Sequence, residues 1–293
     1  MNNSNDNIAS DDNELSEIDV SRLSLHQTKL PIILPVINLH RDPQVLIFDL
    51  ENLKTLRNEY GILGVLIGTL SQYPQQNFFL SIPLRLFVWE VIWLVENNIG
   101  VLLDQVNYRK EKLLLQNSKG LKSSNTISLN KDGSVNDTSS TSPNFIITKN
   151  TDEIENNDQD LLHKHQINIQ DYINAYLSNN PQMNGSKFIR NYHNYKYFKE
   201  LKYFVSPGLK FGGDFVLYPS DPLRFHSHSV VKLNSINLND IVVGGRLSTG
   251  VKKNFVVIED KDSDDKVDDD ISIDKLFTSS SQTVFSIEWA GFG

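Results

Sequence analysis

The sequence predicts an α/β protein of the α+β kind, with two small mixed domains that each carry a sheet with packed helices. Three observations predict this. Short runs rich in Val, Ile, Leu and Phe alternate with stretches of helical periodicity. A Ser-, Asn-, Thr- and Asp-rich stretch from about residue 117 to 159 separates them into two groups. The hydrophobic content of 39% is enough to give each group a core. The expected organisation is a disordered tail over 1–30, an N-terminal α/β domain over 31–115, a disordered linker over 116–165 and a second mixed-sheet domain over 166–293.

Residues 44–49 (QVLIFD) read as a strand, 50–60 as a short helix and 64–69 (GVLIGT) as a second strand. Residues 80–83 then lead into a helix over 84–97, whose apolar positions Leu86, Val88, Trp89, Ile92, Trp93 and Val95 are core. Residues 100–104 read as a strand, followed by a charged helix through residue 112. In the second domain, 169–177 and 186–201 read as helices. Strands are expected over 203–205, 215–218, 226–233, 254–259 and 284–289, with a helix over 239–251 before the fourth. The Asp-rich run 260–274 reads as a mobile surface loop.

Composition removes several chemistries. The chain has no cysteine, which excludes disulfides, zinc–thiolate sites and thiol nucleophiles. Residues 1–17 carry no apolar signal core. The most apolar run, 84–103, is broken by Arg85, Glu90 and Glu96, so it is expected to be a buried helix, and no integral membrane contact is expected. The formal net charge is −8, but residues 187–258 hold eleven Lys/Arg against four acids, a local balance of about +7. A phosphate backbone would feel that local field, although a solvated basic face has the same composition.

The second domain also holds a set of groups able to cut RNA without a metal. That reaction uses the RNA 2′-hydroxyl as nucleophile. It needs a base for the 2′ proton, an acid for the leaving 5′ oxygen and a cation for the crowded phosphorane. Tyr218, His226 and Lys253 supply these three types of group. Tyr218 also has a plain structural reading, as a cap on a sheet edge, while His226 and His228 on one strand would share a face and could hold a metal, for which no third ligand lies nearby. Gly212-Gly213 after Lys210 can cradle a phosphate or make a tight turn. The Tyr192, Tyr195, Tyr197, Lys196 and Lys199 cluster can stack bases or pack on a sheet, packing being the commoner use of such a helix.

The segments 209–215 (LKFGGDF), 218–226 (YPSDPLRFH) and 245–253 (GRLSTGVKK), with the terminal Trp289-Ala-Gly, resemble the tRNA-splicing endonuclease family. The DPLRFHSH block is similar to that of the catalytic subunit that cuts the 3′ splice site, and 60–69 (YGILGVLIGT) resembles its N-terminal domain. The likeness spans roughly residues 35–105 and 187–291.

The resemblance implies a C-terminal tRNA-intron endonuclease fold and a metal-independent, cofactor-free cut that leaves a 2′,3′-cyclic phosphate and a 5′-hydroxyl. It implies Tyr218 as general base, His226 as general acid and Lys253 as the stabilising cation. Arg246 and Trp289 match a pair that sandwiches an RNA base, and Lys210, Arg224 and Lys252 are further RNA-binding candidates. The implied partners are intron-containing pre-tRNA and a heterotetramer with one further catalytic and two structural subunits. The implied location is the nucleus or, alternatively, the cytosolic face of the mitochondrial outer membrane. Three rival readings remain at this point: a non-catalytic RNA-binding subunit, a metal-dependent restriction-like nuclease using Asp214 and Lys253, and a scaffold with no RNA contact.

Overall fold

The computed structural model describes residues 30–69, 80–123, 151–233, 236–260, 271–278 and 280–288. The N-terminal half contains β1 (Ile32–Ile37), β2 (Gln44–Ile47), α1 (Leu50–Asn58), β3 (Val65–Thr69), β4 (Leu80–Arg85), α2 (Val88–Glu96), β5 (Gly100–Asp104) and α3 (Gln105–Ser123). After it come α4 (Thr151–Lys164), α5 (Ile169–Ser178), α6 (Gly185–Glu200), β6 (Phe204–Pro207), β7 (Phe215–Tyr218) and β8 (Ser229–Leu233). The chain continues through α7 (Leu238–Gly250), β9 (Asn254–Asp260), α8 (Ile273–Phe277) and β10 (Gln282–Ile287).

The strands form two five-stranded sheets, β3-β4-β2-β1-β5 and β10-β9-β8-β7-β6. Each is antiparallel except for one parallel pair, β1–β5 in the first and β8–β9 in the second. Along β1, Ile32, Leu34 and Val36 alternate into the core as a half-buried strand requires. Helix starts are set by side chains that accept orphan amides. Asp49 caps α1 through the Asn52 amide at 2.8 Å, and Asn168 and Asn184 cap α5 and α6. Asn237 and Asp240 form a capping box at α7.

Buried side chains from both sheets make one continuous core, and the described residues from Ile32 onward form one compact unit. The seam between the two halves is α2 against α6. Trp89 stacks at 48° on Phe188 with centroids 4.8 Å apart. Glu96 accepts from the Tyr192 hydroxyl and from Lys196 Nζ. Lys199 Nζ donates to the carbonyls of Tyr60 and Gly61 at 2.7 and 2.9 Å and lies 5.1 Å from the Trp93 ring centroid. Burial pulls the Lys199 pKa down to about 8. Glu90, also buried, accepts from the amides of Leu63, Gly64 and Phe87, and burial pushes its carboxyl above the ordinary range.

Several expectations are corrected. Residues 80–85 are a strand, and the helix begins at Val88 rather than at 84. Pro83 offers no amide to a helix and biases its predecessor to extended backbone. Leu84 is then held on both sides, opposite Ile47 and Leu66. The expected linker over 116–165 contains the end of α3 and all of α4. Leu161 is buried, the amide of Asp104 donates to the His165 carbonyl at 2.9 Å, and Glu111 takes Lys164 and His165. The Asp-rich run is anchored where it is described. Asp260 ends β9, buried against His193 at 2.9 Å, and Ile271 enters the core. The rest of that run, the tail over 1–29 and the middle of the expected linker lie outside the described residues. No helix among the described residues is long and apolar enough to cross a membrane.

Candidate active site

Sheet register decides which residues meet. Leu217 of β7 lies opposite Ser229 of β8, and Ser229 lies opposite Asn254 of β9. One step outward on each strand, Tyr218, His228 and Lys253 share a row at one end of the sheet. Neighbouring strands are about 4.8 Å apart, so the Tyr218 and Lys253 backbones are separated by roughly 10 Å. The ladder continues past the strand ends: the His228 amide donates to Leu217 at 3.0 Å, and the Asn254 amide donates to His228 at 2.9 Å. His226 lies two residues further out in an exposed turn, not on a strand as expected, so it and His228 do not form a shared strand face.

Lys253 is delivered by the way α7 ends. Val251 caps the helix, Lys252 turns the chain at φ +55°, and the Lys253 amide closes on the Ser248 carbonyl at 2.8 Å. Its Nζ donates to the Ser227 carbonyl at 2.8 Å and also to the Ser227 hydroxyl, and it lies 4.9 Å from the Phe211 ring centroid. Burial lowers the Lys253 pKa from the ordinary lysine value. Ser227 is itself buried and adjoins His226, so the lysine fixes the inner end of the histidine turn. Tyr218 is half-buried at the end of β7. Tyr218 and Lys253 thus lie at one sheet end, and the His226 turn adjoins it through Ser227.

Of the other predicted residues, Lys210, Arg224, Arg246 and Lys252 are exposed. Trp289 lies outside the described residues. The helix rich in Tyr and Lys is structural at most of its positions: Tyr192, Tyr195 and Lys199 are buried, and burial raises both tyrosine pKa values. Gly213 is required by packing, since a Cβ there would stand 2.4 Å from Val230 Cγ1.

The restriction-like pairing of Asp214 with Lys253 is not assembled. Asp214 precedes the far end of β7, and its carboxylate is bonded to the Leu233 amide at 2.8 Å. Leu233 is level with Ile258, roughly 16 Å along β9 from Lys253 at about 3.3 Å per residue. Asp214 instead lines a cavity of about 300 Å³ with Arg85, Trp89, Tyr172 and Ser206. Among the described residues no group of three His, Asp or Glu side chains is placed to hold a metal.

Two features had no local signal in the sequence. One is the support of Lys253 by Ser227 and Phe211. The other is an ion pair from Arg57 in α1 to Asp221 in the histidine turn, at 2.6 Å through Nε and 2.9 Å through Nη2.

Comparison with known proteins gives a consistent result. Residues 36–105 match the family described as TSEN34-like, N-terminal domain, and 188–268 match the tRNA intron endonuclease, catalytic C-terminal domain. The chain is 32% identical to the tRNA-splicing endonuclease subunit SEN34 of Saccharomyces cerevisiae, over 85% of this chain and 99% of that one. It is 29% identical to the probable tRNA-splicing endonuclease subunit sen34 of Schizosaccharomyces pombe, over 85% and 95%. A shorter match, 41% identical over 25% of this chain and 44% of the relative, is to the tRNA-splicing endonuclease of the Pyrobaculum islandicum strain DSM 4184.

Proposed function

The chain belongs to the SEN34 family of tRNA-splicing endonuclease subunits, and on that premise we propose that Tyr218, His226 and Lys253 are the site with which it cuts pre-tRNA at the 3′ splice site. The 2′-hydroxyl at the cut attacks the adjacent phosphorus, and its proton passes to Tyr218 as general base. The new O–P bond closes the 2′,3′-cyclic phosphate as the bond to the 5′ oxygen breaks. His226 gives that oxygen its proton, leaving a 5′-hydroxyl. Lys253 balances the charge gathered on the phosphorane oxygens. The step balances with Tyr218 entering as the phenolate and leaving as the phenol, and His226 entering as the imidazolium and leaving neutral, with no electron transfer.

The observation that carries this reading is the register of β7, β8 and β9, which delivers the end of one strand and the starts of two others to a single edge. Exposed Lys210, Arg224, Arg246 and Lys252 on the same domain suit a phosphate backbone. The chain acts as one subunit of a complex, which we propose is a heterotetramer with one further catalytic and two structural subunits. β10 supports a subunit contact: it is an edge strand, with Val284 37% and Phe285 60% exposed.

The test uses the assembled complex, intron-containing pre-tRNA and EDTA, with wild-type chain or His226→Ala, mapping each cut. Loss of the 3′ cut with survival of the 5′ cut is expected. Persistence of both cuts would remove His226 as the acid, and silence of the wild type in EDTA would remove the metal-free mechanism.

A further inference from the structure

We propose that Arg57, in the half of the chain that carries none of the cutting groups, is a positioning residue for the 3′ cut and acts by holding the His226 turn through Asp221. The inference rests on the assignment of His226 as the acid. The turn between Tyr218 and Ser227 has almost nothing to hold it by burial: Leu223 is 83% exposed and Phe225 46% exposed, with Arg224 and His226 exposed between and beside them. Its inner end is fixed at Ser227 by Lys253. Among the described residues, its outer end is organised by Asp221. The Asp221 carbonyl accepts from the Arg224 and Phe225 amides at 2.9 and 3.1 Å, and its carboxylate accepts from the Leu223 amide at 2.8 Å.

That carboxylate is then gripped by Arg57 through two parallel N–H···O bonds, with side chains only 18% and 22% exposed. A two-pronged guanidinium–carboxylate pair fixes orientation as well as distance, which a lysine cannot do. Arg57 stands in the last turn of α1, whose neighbouring Leu56 is fully buried in the core. The turn is therefore referenced to a rigid helix of the other half of the chain. A displacement of about 1 Å at a reacting group can cost about 100-fold in rate, so losing the pair should be felt in the chemical step.

The experiment measures single-turnover rates of both cuts in the complex carrying the full chain. The variants are Arg57→Ala, Arg57→Lys, Asp221→Ala, the double alanine variant and the exchanged pair Arg57→Asp with Asp221→Arg. Arg57→Ala should slow the 3′ cut by about 10- to 100-fold with little change in KM, and the 5′ cut should be unaffected. Asp221→Ala should match it, the double variant should be no slower than either alone, and the exchanged pair should regain part of the rate. Arg57→Lys should recover less than the exchanged pair if two-pronged geometry matters.

An unchanged 3′ rate in Arg57→Ala, in a series where His226→Ala abolishes that cut, overturns the inference alone. Equal loss of both cuts, or a double variant as slow as the product of the singles, also overturns it. Survival of the 3′ cut in His226→Ala removes the assignment beneath it, and the inference falls with that.

Discussion

At the scale of the residue, the site depends on a lysine that touches backbone as well as side chain. Lys253 donates to both the carbonyl and the hydroxyl of Ser227, so it carries charge and also locks the turn next to His226. Replacing it by Met removes both contributions. Lys253→Met is expected to slow the 3′ cut by about 100- to 1,000-fold, the range for a lost charge-stabilising group. Ser227→Ala keeps the carbonyl bond and is expected to cost far less. Rates for the two variants, measured against the 5′ cut in the same reaction, check this; equal losses would mean that the hydroxyl, not the charge, matters. In the sequence, Tyr218 and Lys253 stand out by side-chain chemistry and by the resemblance, not by any local pattern of structure. His226 was misplaced on a strand because the apolar alternation that marks β8 begins only after His228. Arg57 was invisible, since nothing near it hints at a carboxylate 164 residues away.

At the scale of the element, the seam between α2 and α6 is where the pH dependence of stability should reside. Lys199 is nearly buried, with a pKa near 8 against 10.5 for an ordinary lysine. The unfolded chain keeps that proton to higher pH than the folded one does. Stability from this group is therefore fully present above about 10.5 and lost as pH falls through about 8. Between pH 8 and 10 the wild type should gain at most about 1.4 kcal/mol per pH unit, before the tyrosines begin to oppose it. Lys199→Met should flatten the slope in urea melts over that range; parallel slopes for the two proteins would sink the assignment. The sequence revealed β7 and most helices because their periods are regular. It hid β4, whose Pro83 looks like a helix start, and α4, whose polar residues look like a linker until Leu161 finds the core.

At the scale of the whole molecule, two half-chains with separate sheets share one core, and β10 lies at the edge of the second sheet with Val284 and Phe285 exposed. That division separates assembly from chemistry. Phe285→Glu on β10 is expected to weaken subunit association, seen as loss of the full complex in native mass measurement, while the melting temperature of the isolated chain changes little. A large drop in that melting temperature would mean instead that Phe285 supports the chain's own fold. The sequence could place the half-chains but not their common core. A buried seam such as Trp89 on Phe188 pairs residues that are far apart in the chain, and periodicity reports only which face is buried, not against what.

The single parallel pair in the second sheet also decides when the nuclease can exist. Antiparallel neighbours such as β6 and β7 meet through a short return, but β8 and β9 meet only after α7 has carried the chain back to the starting end. Until that crossover closes, Lys253 is not beside Ser227 and the histidine turn has no inner anchor. A nascent or half-folded chain can therefore display the basic surface that gathers RNA without the means to cut it. The set of cutting groups therefore depends on the β8–β9 pairing, because without it Lys253 has no place beside Ser227.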